Sequence, residues 1–337
     1  MNIITYCVIC AKEVIAVGKS DERFLMRVVD MYYQQEMLQD EIAKKLNVSR
    51  TTVSRALSKA KKEGYIKIII DFPAENMIEL EKEIEKKFHL KEVIAVKADD
   101  INNRDIFVAR EAAYYIARMI KNDMTIGMAW GYTMKKIVDA FDMYKVGNQV
   151  KAKNLEVVPL LGTMTPETAD NHDLRLSYAS LLSSKLAEMI NAVSYHFAAP
   201  MYVKDIATKK MLLEEPQIKN VMKKAKNCHA GIFGIGALVQ DSSIAILEKD
   251  MILKLSEKNG VGEILGRVFD EYGNTVESEW NDKIIGLTLE QAKNIPIRVG
   301  VAFGEEKVKA IRTAISTGIV NVLITDSVTA ESILYEK

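Results

Sequence analysis

Cysteine is scarce: three in 337 residues is too few for a disulfide scaffold. Cys7 and Cys10 form a lone CxxC, Cys228 stands far off, and neither a second CxxC nor a nearby histidine completes a zinc set. The four histidines, His89, His172, His196 and His229, show no HxH or HExxH spacing, so no metal site is expected. An excess of one charge is missing too. Lys+Arg and Asp+Glu number 46 each, which excludes a protein that holds a polyanion over its whole surface but not one with a local basic patch. No apolar run approaches the ~18–20 residues of a membrane span, so no membrane partner is expected. The apolar first eighteen residues lack a basic n-region and a small-residue cleavage site, and read as an extension of a cytoplasmic protein. GxGxxG and GxxxxGK(S/T) are both absent, which argues against dinucleotide and P-loop nucleotide chemistry and leaves no cofactor signature.

What is present is an ordinary globular composition, 48% apolar and 27% charged, in a chain long enough for two domains at roughly 150 residues each. The first organised block runs from Arg23 to Ile70. Phe24, Val28, Met31 and Tyr32 recur at helical spacing and predict a helix over 23–37. Ile42, Ala43 and Leu46 give a second, short apolar face, and Asn47-Val48 a turn. Ser49 is an N-cap for a further helix that turns Val53 and Leu57 inward. Gly64 closes that helix, and residues 66–70 read as a strand.

Between Glu41 and Lys67 eight cationic side chains stand against two carboxylates. Two short helices, a tight turn, this basic excess and a closing strand together describe a winged helix-turn-helix whose second helix enters the major groove of an operator. Beyond the Ser49 cap, Arg50, Thr51, Thr52, Ser54 and Arg55 face outward, where Arg can pair bidentately with guanine and Thr can meet a thymine methyl. Lys59, Lys61 and Lys62 suit phosphate, setting affinity and its salt dependence. The competing reading is a solvated basic helix in an unrelated small domain.

Residues 75–88 form a strongly amphipathic helix with Met77, Leu80, Ile84 and Phe88 on one stripe. It is either a connector and association surface or a helix packed on its own domain. From Lys91 onward short apolar strands alternate with helices. Strands are expected at 93–96, 125–130, 155–162, 229–236, 298–304 and 321–326, and helices at 104–121, 132–142, 174–191, 216–226, 305–317 and 327–335. This alternation predicts an α/β fold with a doubly wound parallel sheet covered on both faces.

Three strand-end loops could receive an anion: Gly131-Tyr132-Thr133, Gly162-Thr163, and the segment 233–238. Each leaves backbone N–H groups near a turn at the carboxyl end of a strand, where ligands collect in open α/β sheets. Glycine after a strand is also common for steric reasons alone. Glu263 and Lys307, each beside glycine-containing segments, would supply an acceptor for sugar hydroxyls and a cation for phosphate, unless they are surface charges at helix starts.

The segments DEIAKKLNVSRTTVSRALSKAKKEGYIKI, IGMAWGYTM, VVPLLGT, AAPMYV, GIFGIGAL, GVGEILGRVFDEYGN, IIGLTLEQAKNIPIRVGVAFGEEKVKAI and VNVLITDSVTA, in this order, resemble the SorC family of transcriptional regulators over residues 22–337. The resemblance implies a helix-turn-helix over 22–72, a linker helix over 73–90, and a sugar-phosphate-sensing domain over 91–337 with the fold of sugar-phosphate isomerases and deaminases. Residues 1–21 match nothing. It further implies a homotetramer whose hold on double-stranded DNA changes when a phosphorylated sugar binds. Gly131, Tyr132 and Thr133 would hold phosphate, Glu263 and Lys307 would contact the ligand, and Gly162, Thr163, His172 and Arg175 would line the pocket. Two departures predict a differently shaped pocket: Phe303-Gly304 replaces a pair of glycines, and Thr163 replaces a glycine. No lysine occurs in VVPLLGT, so an imine with an aldehyde sugar is not expected there.

The rival from another class is an active sugar-phosphate isomerase or deaminase with a DNA-binding appendage. Ring opening would need a proton-shuttling His or acid after the turn at 233–238, where the chain offers Asp241 without a following Gly-His. A pure oligomerisation scaffold would not need glycine-plus-threonine turns at several strand ends. The expectation is therefore a regulator and not an enzyme.

Overall fold

Residues 19–63, 65–66, 77–97, 103–163, 178–239, 244 and 249–335 are described by the computed structural model, and the chain divides into two units, Met1–Asn76 and Met77–Lys337. In the first, α1 (Lys19–Val29) runs on into a π-helical turn, Asp30–Gln34. There the Gln35 N–H reaches back to the Asp30 carbonyl at 3.1 Å. The helix expected over 23–37 therefore begins earlier and stops earlier, because that wide turn is followed by Glu36 in the left-handed region (φ 53°). α2 (Gln39–Leu46) starts where the Glu41 carboxylate accepts the Leu38 N–H at 2.9 Å, and it ends at left-handed Asn47. α3 (Arg50–Lys62) starts at Ser49, whose Oγ accepts the Thr52 N–H at 3.1 Å. Val28, Ile42, Val53 and Ala60 form the fully buried centre of this unit. Gly64 and residues 67–70 of the expected strand lie outside the described residues.

The second unit carries nine strands among the described residues: β1 (Glu92–Val96), β2 (Thr125–Met128), β3 (Glu156–Pro159), β4 (Val193–Ser194), β5 (Ala230–Gly234), β6 (Gly260–Ile264), β7 (Arg267–Asp270), β8 (Ile297–Val301) and β9 (Val322–Asp326). All but β6 and β7 form one wholly parallel sheet in the order β1-β9-β8-β5-β2-β3-β4. The helices are α4 (Ile78–Phe88), α5 (Arg104–Met119), α6 (Tyr132–Met143), α7 (Ala179–Met189), α8 (Ile206–Glu214), α9 (Pro216–Lys226), α10 (Lys249–Glu257), α11 (Glu279–Lys283), α12 (Leu289–Lys293), α13 (Val308–Ser316) and α14 (Ser327–Tyr335). Among the described residues no helix is long and apolar enough to cross a membrane.

Apart from β1, which is added at the far edge beside β9, the sequence runs outward in both directions from the β2–β5 pair, so the direction of winding reverses there, at the place where open α/β sheets hold ligands. The edge at β1 is closed by α4. Glu85 Oε1 accepts the Val93 N–H and Glu81 Oε1 accepts the Ala95 N–H, both at 2.8 Å, which ties down donors that an edge strand would leave open. Ile84 of α4 is fully buried in the core of this unit, so the amphipathic helix packs on its own domain.

β6 and β7 form an antiparallel hairpin whose two-residue turn, Leu265-Gly266, has positive φ at both positions (58° and 71°). Asn281 of α11 pins it. The Asn281 Oδ1 accepts the Val268 N–H at 2.9 Å, and its Nδ2 donates to the carbonyls of Val268 and Val276 at 3.0 and 2.6 Å. Asn281→Ala should strand buried hairpin groups at a loss of about 1–3 kcal/mol each. The expected result is a lower urea midpoint with an unchanged slope; an unchanged midpoint would mean that water replaces the amide.

Candidate functional site

The exposed face of α3 carries the residues expected to reach DNA. Ser49, Arg50, Thr51, Thr52, Ser54 and Arg55 are all exposed, Lys59 is half-buried, and Val53, Ala56, Leu57 and Ala60 face the core. Their roles differ. The Ser49 hydroxyl caps the helix and shares a 2.8 Å hydrogen bond with the Thr52 hydroxyl. Arg50 lies 3.7 Å from Asp40, and Lys59 lies 3.9 Å from Glu63. Among the described residues no ion pair engages Arg55. Thr51, Ser54 and Arg55 thus keep their side chains available for base edges, while Ser49 and Thr52 set the helix start.

In the second unit the loops after β2, β5 and β8 leave the same end of three neighbouring strands. With strands roughly 4.8 Å apart, these loops begin within about 10 Å of one another. After β2, Gly131 is the N-cap of α6 at φ 110°, no side chain caps that helix start, and nothing lies within 4 Å of where a Cβ would stand. Among the described residues no hydrogen bond engages the first N–H groups of the helix, which carry the positive end of the helix dipole. Thr133 is half-buried beside them. The Tyr132 hydroxyl donates to Asp105 Oδ2 at 3.1 Å, and its ring lies under the Lys136 ammonium, so at this turn Tyr132 offers its backbone and not its phenol.

Gly162 and Thr163 are different, and the expectation of open N–H groups there is corrected. The Gly162 N–H donates to the Ile285 carbonyl at 3.0 Å, and the Thr163 N–H to the Ala199 carbonyl at 2.8 Å. A Cβ on Gly162 would stand 2.5 Å from the Pro200 carbonyl oxygen, so this glycine is required for close backbone passage. The Thr163 hydroxyl faces the Phe197 carbonyl and Ser180. His172, Arg175 and Asp241 lie outside the described residues.

The loop after β5 binds the hairpin. Gly236 and Glu263 exchange two backbone hydrogen bonds, at 2.9 and 2.8 Å, which brings the Glu263 side chain to the carboxyl end of the sheet. The residue is 8% exposed. Its Oε2 accepts the Gly266 N–H at 3.0 Å, and Oε1 lies so close to Gly236 that a Cβ there would be 2.6 Å away. Burial pushes the Glu263 carboxyl up to about 7, against the opposing pull of the Gly266 N–H and of Lys307. Lys307, half-buried at the end of the turn Glu305–Lys307, is pulled down chiefly by burial and in part by Arg104, while Glu306 and Glu263 oppose this.

Arg104, not singled out by sequence, and Phe303, expected only to reshape the pocket, complete this end of the sheet. The Phe303 ring is flanked by the Arg104 guanidinium (5.2 Å) and the Lys307 ammonium (5.5 Å). Arg104 Nη1 lies 3.8 Å from Asp326, and its buried Nε has no hydrogen-bond partner among the described residues. Asp326 in turn holds Thr329, and the Thr329 hydroxyl accepts the Gly304 N–H at 2.8 Å, which fixes the loop after β8. Arg104 opens α5, where a cation opposes the helix dipole; that is the one signal the sequence carried for it. Two cations, one buried carboxylate and an open helix start can bind an anionic, hydroxyl-rich molecule without bond making.

Comparison with known proteins agrees with this division of labour. The family model described as "Putative sugar-binding domain" matches residues 73–335, and a winged helix-turn-helix DNA-binding model matches residues 35–67. The chain is 28% identical to the deoxyribonucleoside regulator of Bacillus subtilis, over 94% of this chain and 98% of the relative. It superposes with TM-score 0.66 on a DeoR family transcriptional regulator from Listeria monocytogenes, at 28% identity, covering 76% of this chain and 99% of the other. The full-length sorbitol operon regulator SorC from Klebsiella pneumoniae shares the fold, with TM-score 0.70 and 22% identity over 93% of this chain and 99% of that one.

The raised Glu263 value has a thermodynamic consequence. The folded state holds this proton more tightly than the unfolded chain, so its contribution to stability falls as pH rises from about 4.5 to about 7 and is level above that. Glu263→Gln should remove this slope, gaining on the wild type between pH 5 and pH 8 in urea melts of the unliganded protein. Parallel pH profiles would show that Glu263 does not titrate in this window.

Proposed function

Because the chain belongs to the family that joins a winged helix-turn-helix to a sugar-binding domain, we propose that it is a DNA-binding transcriptional regulator whose grip on its operator is set by a phosphorylated, sugar-like effector. The observation that carries the effector half is the open N-terminus of α6 at Gly131, on the same sheet end as buried Glu263 and the Arg104–Phe303–Lys307 cluster. Phosphate suits the helix start and the cations, and ring hydroxyls suit the carboxylate. The names of relatives, a deoxyribonucleoside regulator and a sorbitol operon regulator, support a polyhydroxylated signal. Gly131, Thr133, Glu263, Arg104 and Lys307 are the residues assigned to it, with Phe303 filling space beside them. The Gly162-Thr163 turn shapes the wall without donating N–H groups.

On this reading no turnover occurs. The effector binds one arrangement of a homotetramer better than another, and the paired reading helices then span their half-sites differently. The relatives are named transcriptional regulators, which supports a binding role over an enzymatic one.

Two experiments test the two halves separately. In a thermal-shift screen of sugar phosphates against the free sugars, a ligand at 100 times its dissociation constant should add about 2.7 kcal/mol to the native state. A shift confined to one phosphorylated sugar is expected; no shift with any compound would sink the effector reading. Arg55→Ala should weaken binding to the operator by about 1–3 kcal/mol, with specificity relaxed at one base pair and the effector's thermal shift intact. Unchanged operator affinity would mean that α3 is not the reading helix.

A further inference from the structure

A second cation-rich site lies on the flank of the large unit, where α8, α9, Arg267 and part of the segment 286–291 enclose a cavity of about 760 Å3. None of the residues assigned to the effector lines it. Lys219, Lys223 and Lys226 fall on one stripe of α9, at i, i+4 and i+7, where like charges repel one another. Lys219 is paired with Glu214 at 2.8 Å, but among the described residues neither Lys223 nor Lys226 has a carboxylate within 4 Å. Lys209 joins them from α8, donating to the Asp282 carbonyl at 2.6 Å.

Arg267 supplies the second, independent observation. It is 4% exposed and gives its N–H groups to the carbonyls of Leu287, Asn281, Ile284 and Gly286, at 2.7 to 3.3 Å. Among the described residues no carboxylate lies within ion-pair distance of it, so a buried full charge is met by carbonyl dipoles and, from beyond that distance, by Asp282. Such an arrangement is unfavourable unless another anion offsets it. Burial draws its guanidinium down to about 10, and burial and Arg267 together draw Lys209 down, with Asp282 only partly offsetting both. The walls also carry an apolar strip, Leu213, Pro216 and Met222, that would receive an organic body.

We propose that this cavity is a second ligand site, for a small organic molecule bearing two or more phosphate groups. Five lining cations against the single lining carboxylate Glu214 require more than one anionic group, and the volume falls within the roughly 300–1,000 Å3 usual for small-molecule pockets. The site would let the regulator read a second signal, and it does not depend on the effector assignment above.

The test is hydrogen–deuterium exchange of the full-length protein with inorganic pyrophosphate, against sulfate at matched ionic strength. Pyrophosphate should protect the peptides spanning 206–227, and the concentration for half protection should rise at least tenfold in Lys223→Glu/Lys226→Glu. Both positions are exposed, so this variant should stay folded, with a melting temperature lowered only slightly by the carboxylates placed in the last turn of α9. Protection at 129–136 and 303–308 reports the effector site in the same experiment, so the two assignments fail independently. No protection at 206–227, equal protection by sulfate, or protection that survives the charge reversal would overturn the proposal.

Discussion

A wholly parallel sheet has to be covered on both faces, because each return from one strand to the next needs a crossover that lies against it. In this chain that constraint determines almost everything else. The crossovers bury β2 and β9 along their full length, which leaves only the strand ends for polar chemistry. Winding outward from β2 and β5 then gathers the loops after β2, β5 and β8 at one end of the sheet. The two edges are handled differently. β1 gives its outward N–H groups to Glu81 and Glu85, while β4 is only two residues long and presents little backbone to pair.

The buried carboxylate follows from the same geometry. Glu263 does not come from the sheet but from a hairpin docked on the loop at Gly236, and the absence of a side chain at Gly236 leaves its Oε1 room. Burial favours the neutral acid, whereas Lys307 and the Gly266 N–H favour the anion. A group balanced in this way responds strongly to what is placed beside it. A ligand that brings hydroxyl donors to Glu263 and phosphate to the cations would stabilise all three charges together. Such a ligand would bias an equilibrium between two arrangements of the protein to the extent that one of them holds these groups closer together than the other.

Much of the fold was legible in the sequence, because buried parallel strands read as short apolar runs and amphipathic helices as 3.6-residue stripes. The six strands expected from Lys91 onward are all present, and α9 and α14 match their expected spans residue for residue. The β6–β7 hairpin was not legible. Its turn is Leu265-Gly266, and leucine gives no signal for a left-handed position; here the residue is held there by burial of its side chain. The site was legible only in part. Gly131 and Gly162 look alike in sequence, each a glycine just past a buried strand. One opens onto empty space and the other makes way for the Pro200 backbone, and that difference depends on a segment nearly forty residues away. Arg104 acquires its meaning only when Asp326 and Phe303, more than 190 residues later, fold against it.

Charge distribution connects the two units without any contact between them being invoked. The whole chain is neutral, yet the segment from Glu41 to Lys67 has eight cations and two carboxylates, while the second unit, Met77–Lys337, carries 34 cations against 36 carboxylates, a net charge of −2. A polyanion such as duplex DNA is attracted locally by the basic segment, at distances up to the Debye length of about 8 Å in physiological salt, and meets no comparable excess of either sign over the second unit as a whole. The same argument limits where phosphate can bind elsewhere. In a nearly neutral body, an anionic metabolite would be held where cations are concentrated. Arg104 with Lys307 is one such place and Arg267 with the α9 lysines is another, and the two differ in their acceptors. The first has a buried carboxylate for hydroxyls, as a sugar requires. The second has backbone carbonyls already engaged by Arg267 and an apolar strip, which favours a ligand richer in phosphate than in hydroxyl groups.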